Sequence, residues 1–339
     1  MGQSIFRKFG SSNSNVLRGP KPGVDVSIVR ISGHRVLAVS SDPMSLIPRL
    51  GPEKSGFLSV QGIASDIATS GLKPRFAMVT LNMPPKMTDV LLKGYWESVH
   101  RTCKKLGVAI IGGHTGRFQG IDYTIIGSGT MLAIGSNNHY VTSEMAKHGD
   151  DLIMTKTAAL EATAVLSSVF PKTVSKHLGR TIANDAKRLL AKVGTVEDSS
   201  LAASVGLRKY VTAMHDVTEG GILSAVMDLA NASHLKATLE LESVSVAEEV
   251  HAVCKFFKID PYTSLGQGSV LIASRPDATR RVIGILESHQ IIASVIGSLS
   301  SGGHHHHLVM KNGRTVPLNR SKADPYWKAY WKAMSRRLK

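Results

Sequence analysis

The chain has 339 residues, 42% of them apolar and 19% charged, with a formal net charge of +16. Those proportions exclude a disordered polymer, and the length exceeds one ordinary core, so two domains are expected. No run of 18 uncharged apolar residues occurs, and the opening MGQSIFRKFGSSNSN lacks the apolar stretch of a signal peptide, which points to a cytoplasmic protein without a membrane span.

Residues 1–22 read as a flexible N-terminal segment. Residues 24–30 and 35–40 are β-branched, apolar runs separated by Ile31-Ser32-Gly33-His34, a hairpin pattern. Apolar residues at helical spacing fill 57–70, and Gly71 is placed to end that helix. A strand is predicted at 76–81, a helix at 88–106 with Thr88 as N-cap, a short buried strand at 108–111, and a long strand or bent pair at 122–134. Gly149-Asp150-Asp151 then precedes a new apolar strand at 152–155, which puts a domain boundary near residue 150. The second half predicts helices at 158–170, 174–193, 220–233, 246–257 and 278–289, and strands at 211–214, 237–241, 269–273 and 294–296. The resulting architecture is α/β (α+β), with domains over 23–149 and 150–319 and a basic aromatic helix over 320–339.

Where the charge lies decides what it means. Residues 320–339 carry seven Lys and Arg against Asp324 alone, a net +6 and more than a third of the excess. The remainder is scattered, without a helix-turn-helix, zinc-finger or aromatic RNA-binding signature, and the same field favours a phosphate-bearing small molecule. In the tail, Tyr326, Trp327, Tyr330 and Trp331 interleave with Lys328 and Lys332. That pattern serves either nucleic-acid stacking or a helix that packs its aromatics on its own domain. Cys103 and Cys254 are far apart with no CxxC partner, so neither a disulfide framework nor a zinc site is indicated. Cys103, beside Lys104 and Lys105, reads as a structural thiol, with an activated thiol as the alternative. His304 to His307 read as a flexible loop without a biological metal, with weak Ni²⁺ or Zn²⁺ binding in vitro as the alternative.

Five segments concentrate the chemistry. His215-Asp216-Val217-Thr218-Glu219-Gly220-Gly221 joins a strand end to a helix start, a natural place for Mg²⁺ and a nucleotide phosphate. Asp25 in PGVDVSIV, Asp42 in LAVSSDP and Asp66 in GIASDIATSG are further acids at strand ends or inside a helix. Ile110-Ile111-Gly112-Gly113-His114-Thr115-Gly116 follows an apolar strand with glycines that let backbone approach a ligand. Together they look like one site.

The order PGVDVSIV, VSSDP, ASDIATSGLKP, IIGGHTG, GDDLIMTK, HDVTEGG resembles the aminoimidazole-ribonucleotide (AIR) synthetase-related, PurM-like superfamily. That superfamily includes thiamine-monophosphate kinase, selenophosphate synthetase and the hydrogenase maturation protein of the HypE type. The resemblance implies an N-terminal α/β domain contributing to a β-barrel across a homodimer interface, and a C-terminal α/β domain packed against it. It implies ATP in the cleft, Mg²⁺ held by Asp25, Asp42, Asp66 and Asp216, and phosphoryl transfer to a small-molecule acceptor. Clustered carboxylates repel unless a cation lies among them, in keeping with that assignment. Backbone N–H groups of Gly112, Gly113, Gly220 and Gly221 and the hydroxyls of Thr115 and Thr218 would then meet phosphate.

Each residue also has a structural reading. Asp42 before Pro43 can start a turn, Asp25 can be an exposed strand-start residue, and Asp216 and Glu219 can cap the following helix. Asp66 is harder to place that way, because a charge in an Ala- and Ile-rich helix needs a partner. His114 stands where several relatives carry an acid, and with Asp216 and Glu219 it is a candidate catalytic group. Lys156 is a candidate phosphate contact and Glu161 a candidate substrate contact. Residues 1–22 hold no Cys, no Cys follows Cys254, and GVDVS, GGHT and Met154-Thr155-Lys156-Thr157-Ala158 depart from the corresponding family patterns. The reading is therefore a member outside the four activities. A catalytically inactive nucleotide-binding scaffold, or a nucleic-acid-associated protein acting through the tail, is the alternative.

Overall fold

Antiparallel pairing begins at β1 (Val16–Arg18), which joins β2 (Ser27–Ser32), so the stretch expected to be flexible carries a strand of the first sheet. The structure, a computed structural model, describes residues 8–303, 305–321 and 323–339. β2 turns at Gly33 and His34 into β3 (Arg35–Ser45), which pairs along its whole length with β6 (Ile125–Ser136). Asp42 therefore sits within a strand, opposite Gly129, and does not start a turn. With β4 (Phe76–Met83) and β5 (Ala109–Arg117) the sheet runs β1-β2-β3-β6-β4-β5.

The glycine segment expected as a loop after a short strand is itself strand. β5 pairs in parallel with β4, Met78 opposite Gly112, Val79 opposite Gly113 and Thr80 opposite His114. At Gly113, φ is +149° and an added Cβ would lie 1.7 Å from the Val79 carbonyl oxygen. Close strand approach accounts for that glycine.

Helices α1 (Pro52–Thr69) and α2 (Asp89–Leu106) cover one face of the sheet. α2 is the crossover between parallel β4 and β5; the Thr88 hydroxyl accepts from the Leu91 N–H at 3.3 Å at its start, and Gly107 ends it with φ 72°. On the other face the register aligns Leu37, Val39, Phe76, Met78, Leu132 and Ile134, all partly or well exposed. That face has no cover among the described residues.

The second sheet has the order β13-β12-β9-β11-β7-β10-β8, from β7 (Asp151–Thr155), β8 (Val211–Asp216), β9 (Lys236–Glu240), β10 (Val270–Ser274), β11 (Ala293–Ser300), β12 (His307–Val309) and β13 (Thr315–Pro317). Its central strands are apolar on both sides because both sides are covered. Leu152, Met154, Leu271 and Ala273 pack with α7 (Gly221–Ala232), while Ile153, Val270 and Ile272 pack with α6 (Val196–Gly206) and α9 (Pro276–Ser288). A third core joins α3 (Leu160–Val169), α4 (Pro171–Leu178), α5 (Arg180–Arg188), α8 (Glu248–Phe257) and α10 (Pro325–Ser335). The helix predicted over 174–193 is thus broken, with Gly179 separating α4 from α5.

Among the elements that tie the halves together are two helices. α1 packs against β8 and α6. α10 reaches back to the first domain: the Tyr330 hydroxyl donates to the Pro48 carbonyl, and Arg49 donates to the Leu338 carbonyl at 2.7 Å. In the histidine run, His304 lies outside the described residues. His306 is buried, accepting from the Ala237 N–H at 3.2 Å through Nδ1 and facing Asn231 Oδ1 through Nε2, and His307 opens β12. Those two belong to the sheet and not to a flexible loop. Burial pushes the thiols of Cys103 and Cys254 up to about 11 and about 12, so neither is activated. Among the described residues no helix is long and apolar enough to cross a membrane.

Candidate active site

Four aspartates from four parts of the chain converge. Asp25 precedes β2, Asp42 lies in β3, Asp66 sits in the last turn of α1, and Asp216 ends β8. All four line one cavity of about 460 Å³, together with Thr218 and Glu219, and its wall draws on both domains. The packing of α1 against β8 carries Asp66 to Asp216, and the β2–β3 hairpin delivers the other two.

The electrostatics are those of crowded acids. Burial, followed by repulsion from Asp216, Asp25 and Asp42, raises the Asp66 carboxyl well above the usual range, although Ser40 donates to its Oδ2 at 2.6 Å. Asp216 is pushed up to about 8 by burial and then by Asp25, with His215 opposing. Asp42 rises to about 6 through burial and Glu219. Burial disfavours a charged His215, but Asp25, with Oδ1 2.6 Å from Nδ1, overcomes it and lifts the imidazole to about 9. Asp25, His215 and Asp216 offer ligand atoms all within 4.8 Å of one another. The Asp216 Oδ2 is buried without a hydrogen-bond partner among the described residues. A hard, oxygen-seeking cation such as Mg²⁺ fits this donor set: it would engage the orphaned oxygen and relieve the repulsion. His215, bound to Asp25, orients that carboxylate from behind.

The second glycine segment is not part of this cavity. Gly112, Gly113, His114 and Thr115 lie exposed along β5 and do not line it; the His114 ring has Phe118 as its neighbour at 6.3 Å. Gly220 and Gly221 border the acids, but their amides are engaged. Gly220 donates to Asp324 Oδ2 at 2.9 Å and Gly221 to the Thr218 carbonyl at 3.1 Å. At Gly221, with φ 63°, an added Cβ would lie 2.5 Å from the Tyr262 carbonyl oxygen, so backbone crowding explains that glycine. Asp324, the N-cap of α10, thus supplies the anion at the start of α7.

Lys156 is also elsewhere. It lines a separate cavity of about 290 Å³, where its ammonium meets Asp198 Oδ1 at 2.9 Å and donates to the carbonyls of Gly194, Gly268 and Lys192. With every donor occupied it braces the fold and does not contact the acid cluster. Lys156→Ala strands the buried Asp198 carboxylate and is expected to destabilise by about 3–5 kcal/mol. Chemical denaturation measures that loss, and unchanged stability would contradict the assignment.

Sequence reasoning underrated the tail. Tyr326 and Tyr330 are buried in the third core, which removes them from any nucleic-acid contact, and Trp327 and Trp331 line the acid cavity. Gln267, from the loop before β10, also joins the wall and had no sequence signal. The i, i+4 spacing of the two tryptophans was legible, but not the surface they would face.

A two-domain α/β protein with an acid-lined cavity between its halves is the class this geometry defines. Residues 23–134 match the N-terminal domain, and residues 147–309 the C-terminal domain, of AIR synthase related protein. The chain belongs to the AIR synthase related family, and its fold is PurM-like. It is similar to carbamoyl dehydratase HypE of Escherichia coli, 26% identical over 283 residues that cover 81% of this chain and 79% of the relative. Two solved structures share the fold. One is a HypE–HypF complex, with TM-score 0.74, 19% identity, and 94% and 99% of the two chains covered. The other is AaThiL complexed with AMPPCP and TMP, with TM-score 0.72, 15% identity, and 95% and 94% covered.

Proposed function

We propose that this chain is an ATP- and Mg²⁺-dependent enzyme that activates a small acceptor by phosphoryl transfer. The observation that carries this is the convergence of Asp25, Asp42, Asp66 and Asp216 on one cavity, with an Asp216 oxygen left unpaired. The AaThiL structure with AMPPCP and TMP and a HypE structure in complex with ATP support a nucleotide in this fold. Mg²⁺ held by the four aspartates would neutralise the charge of phosphate oxygens. His215 holds Asp25 and Ser40 holds Asp66, so two of the carboxylates are oriented in advance. Thr218 lines the same space, and a threonine hydroxyl suits a phosphate oxygen. Glu219, exposed on the cavity wall, is placed to accept the acceptor's proton as the new acceptor–phosphorus bond forms and ADP departs.

Calorimetry with AMPPCP tests the reading: binding with Mg²⁺ present and none without it is expected, and no binding in either condition would refute it. A second reading, nucleotide binding without turnover, is favoured by the engaged amides of Gly220 and Gly221, which leave fewer donors for developing charge. ATP turnover with candidate acceptors separates the two.

A homodimer belongs to the same proposal. The uncovered face carrying Leu37, Val39, Phe76, Met78, Leu132 and Ile134 is apolar enough to require a partner, and a second copy of the sheet supplies a matching one. The paired substitution Leu132→Glu with Ile134→Glu is expected to yield monomers by light scattering, and an unchanged mass would dismiss this face.

A further inference from the structure

Part of the cavity wall is built from groups that phosphoryl transfer does not use. Glu161, in the first turn of α3, is only 8% exposed, lines the cavity, and has no hydrogen-bond or ion partner among the described residues. Burial and the carboxyls of Glu219, Asp42 and Asp324 lift it to about 8. No Lys or Arg is among the described lining residues to answer it. Trp327 and Trp331, four residues apart on α10, present two indoles to the same space, and Ile47, Leu58 and Leu265 add apolar surface. An unanswered buried acid stays protonated until a cationic ligand completes it and draws the proton off. An acid beside aromatic faces favours one ligand class, because the carboxylate pairs with positive charge and the negative face of an indole attracts it.

We propose that Glu161, Trp327 and Trp331 form the acceptor subsite and that the acceptor is a small organic cation, an ammonium or an N-alkylated heteroaromatic ring. Its charge pairs with Glu161 and its flat or methyl-bearing face lies against the indoles. The word acceptor rests on the phosphoryl-transfer reading; recognition of the cation does not. An anionic acceptor without a counter-ion would meet, beyond Glu161 itself, five aspartate and glutamate neighbours and no cationic side chain among the described lining residues, and is rejected by repulsion.

The probes are 1-methylnicotinamide, a cation, and 3-methylbenzamide, its neutral isostere, titrated into the full chain with and without saturating Mg²⁺–AMPPCP. Tryptophan fluorescence and calorimetry are the readouts. The cation is expected to bind about tenfold more tightly than the isostere, Glu161→Gln to reduce that preference to about twofold or less, and Trp331→Ala to weaken the cation by about fivefold. Equal binding of the two probes by the wild type overturns the proposal, as does an unchanged preference in Glu161→Gln. Displacement of the cation by Mg²⁺–AMPPCP also overturns it, because the wall would then belong to the nucleotide. Trp331 is 47% exposed, so Trp331→Ala keeps the test open should Glu161→Gln fail to fold, and unchanged cation affinity in it counts against the subsite. Absence of Mg²⁺–AMPPCP binding refutes the phosphoryl-transfer reading separately, with the cation preference still read from the nucleotide-free samples.

Discussion

Asp216→Asn is expected to weaken Mg²⁺–AMPPCP by about a hundredfold, roughly 3 kcal/mol, while raising the melting midpoint of the metal-free protein. Both effects have one origin. Asp216 is buried beside Asp25, Asp42 and Glu219, and its pKa of about 8 against an ordinary 3.8 measures how strongly the folded state resists its charge. Each unit of that resistance corresponds to about 1.4 kcal/mol, so a neutral amide of the same shape relieves strain wherever the acid would ionise. The amide also discards the unpaired Oδ2 as a cation ligand. Calorimetry and differential scanning on the same preparation check the two halves; a variant that binds normally, or one that melts lower without metal, would contradict the cluster's role.

The second large effect is a dependence of stability on pH that Mg²⁺ reverses. Asp42, Asp66 and Asp216 have folded pKa values above the unfolded carboxyl value, and His215 lies at about 9 against 6.5. A raised folded pKa means that the native state holds more protons than the unfolded chain. The stabilisation is fully present below the unfolded value and disappears as pH rises through the folded one. For the acids that window runs from near 4 to about 8, and for His215 from 6.5 to about 9. Without divalent cations the melting midpoint is therefore expected to fall by several degrees between pH 5.5 and 8.5. With Mg²⁺, which takes the place of the protons among the carboxylates, the fall is expected to vanish or invert, since bound cation stabilises the native state by mass action. Fluorescence-monitored melting in a chelating buffer and in excess Mg²⁺ gives both curves. A metal-free midpoint that climbs steadily with pH would contradict the crowding of these groups.

The sequence made the acids readable and left much of their surroundings hidden, for a physical reason. Asp66 stood out because a charge in an apolar helix needs an explanation, and the HDVTEGG turn stood out because strand, acids and glycines occur together. Both are local signals. The IIGGHTG segment carried an equally local signal with a different cause: Gly113 is there so that β5 can approach Val79. Sequence alone cannot distinguish a glycine that admits a ligand from one that admits a neighbouring strand. Lys156 misled in the same way, since a lysine that braces Asp198 looks like one that meets phosphate until its partners are known. α6 escaped notice because its Ser- and Ala-rich surface shows no clean apolar stripe, although it packs on a sheet face. Trp327 and Trp331 reach the cavity, and Asp324 reaches Gly220, only through the folding back of the chain's last helix, a contact across more than 100 residues in the case of Asp324 and Gly220.

Asp324 starts α10 and at the same time seats the turn leading into α7, so the final helix is fastened to the segment that bears Asp216 and Glu219. On the functions proposed above, grip and selectivity reside on separate stretches of polypeptide: the aspartates hold the cation, and Glu161 with the closing helix shapes what fits beside it. Trp331, half-exposed on its surface, can be exchanged for other side chains without disturbing the cap, so a single scaffold is open to retuning for new compounds by an edit confined to its end.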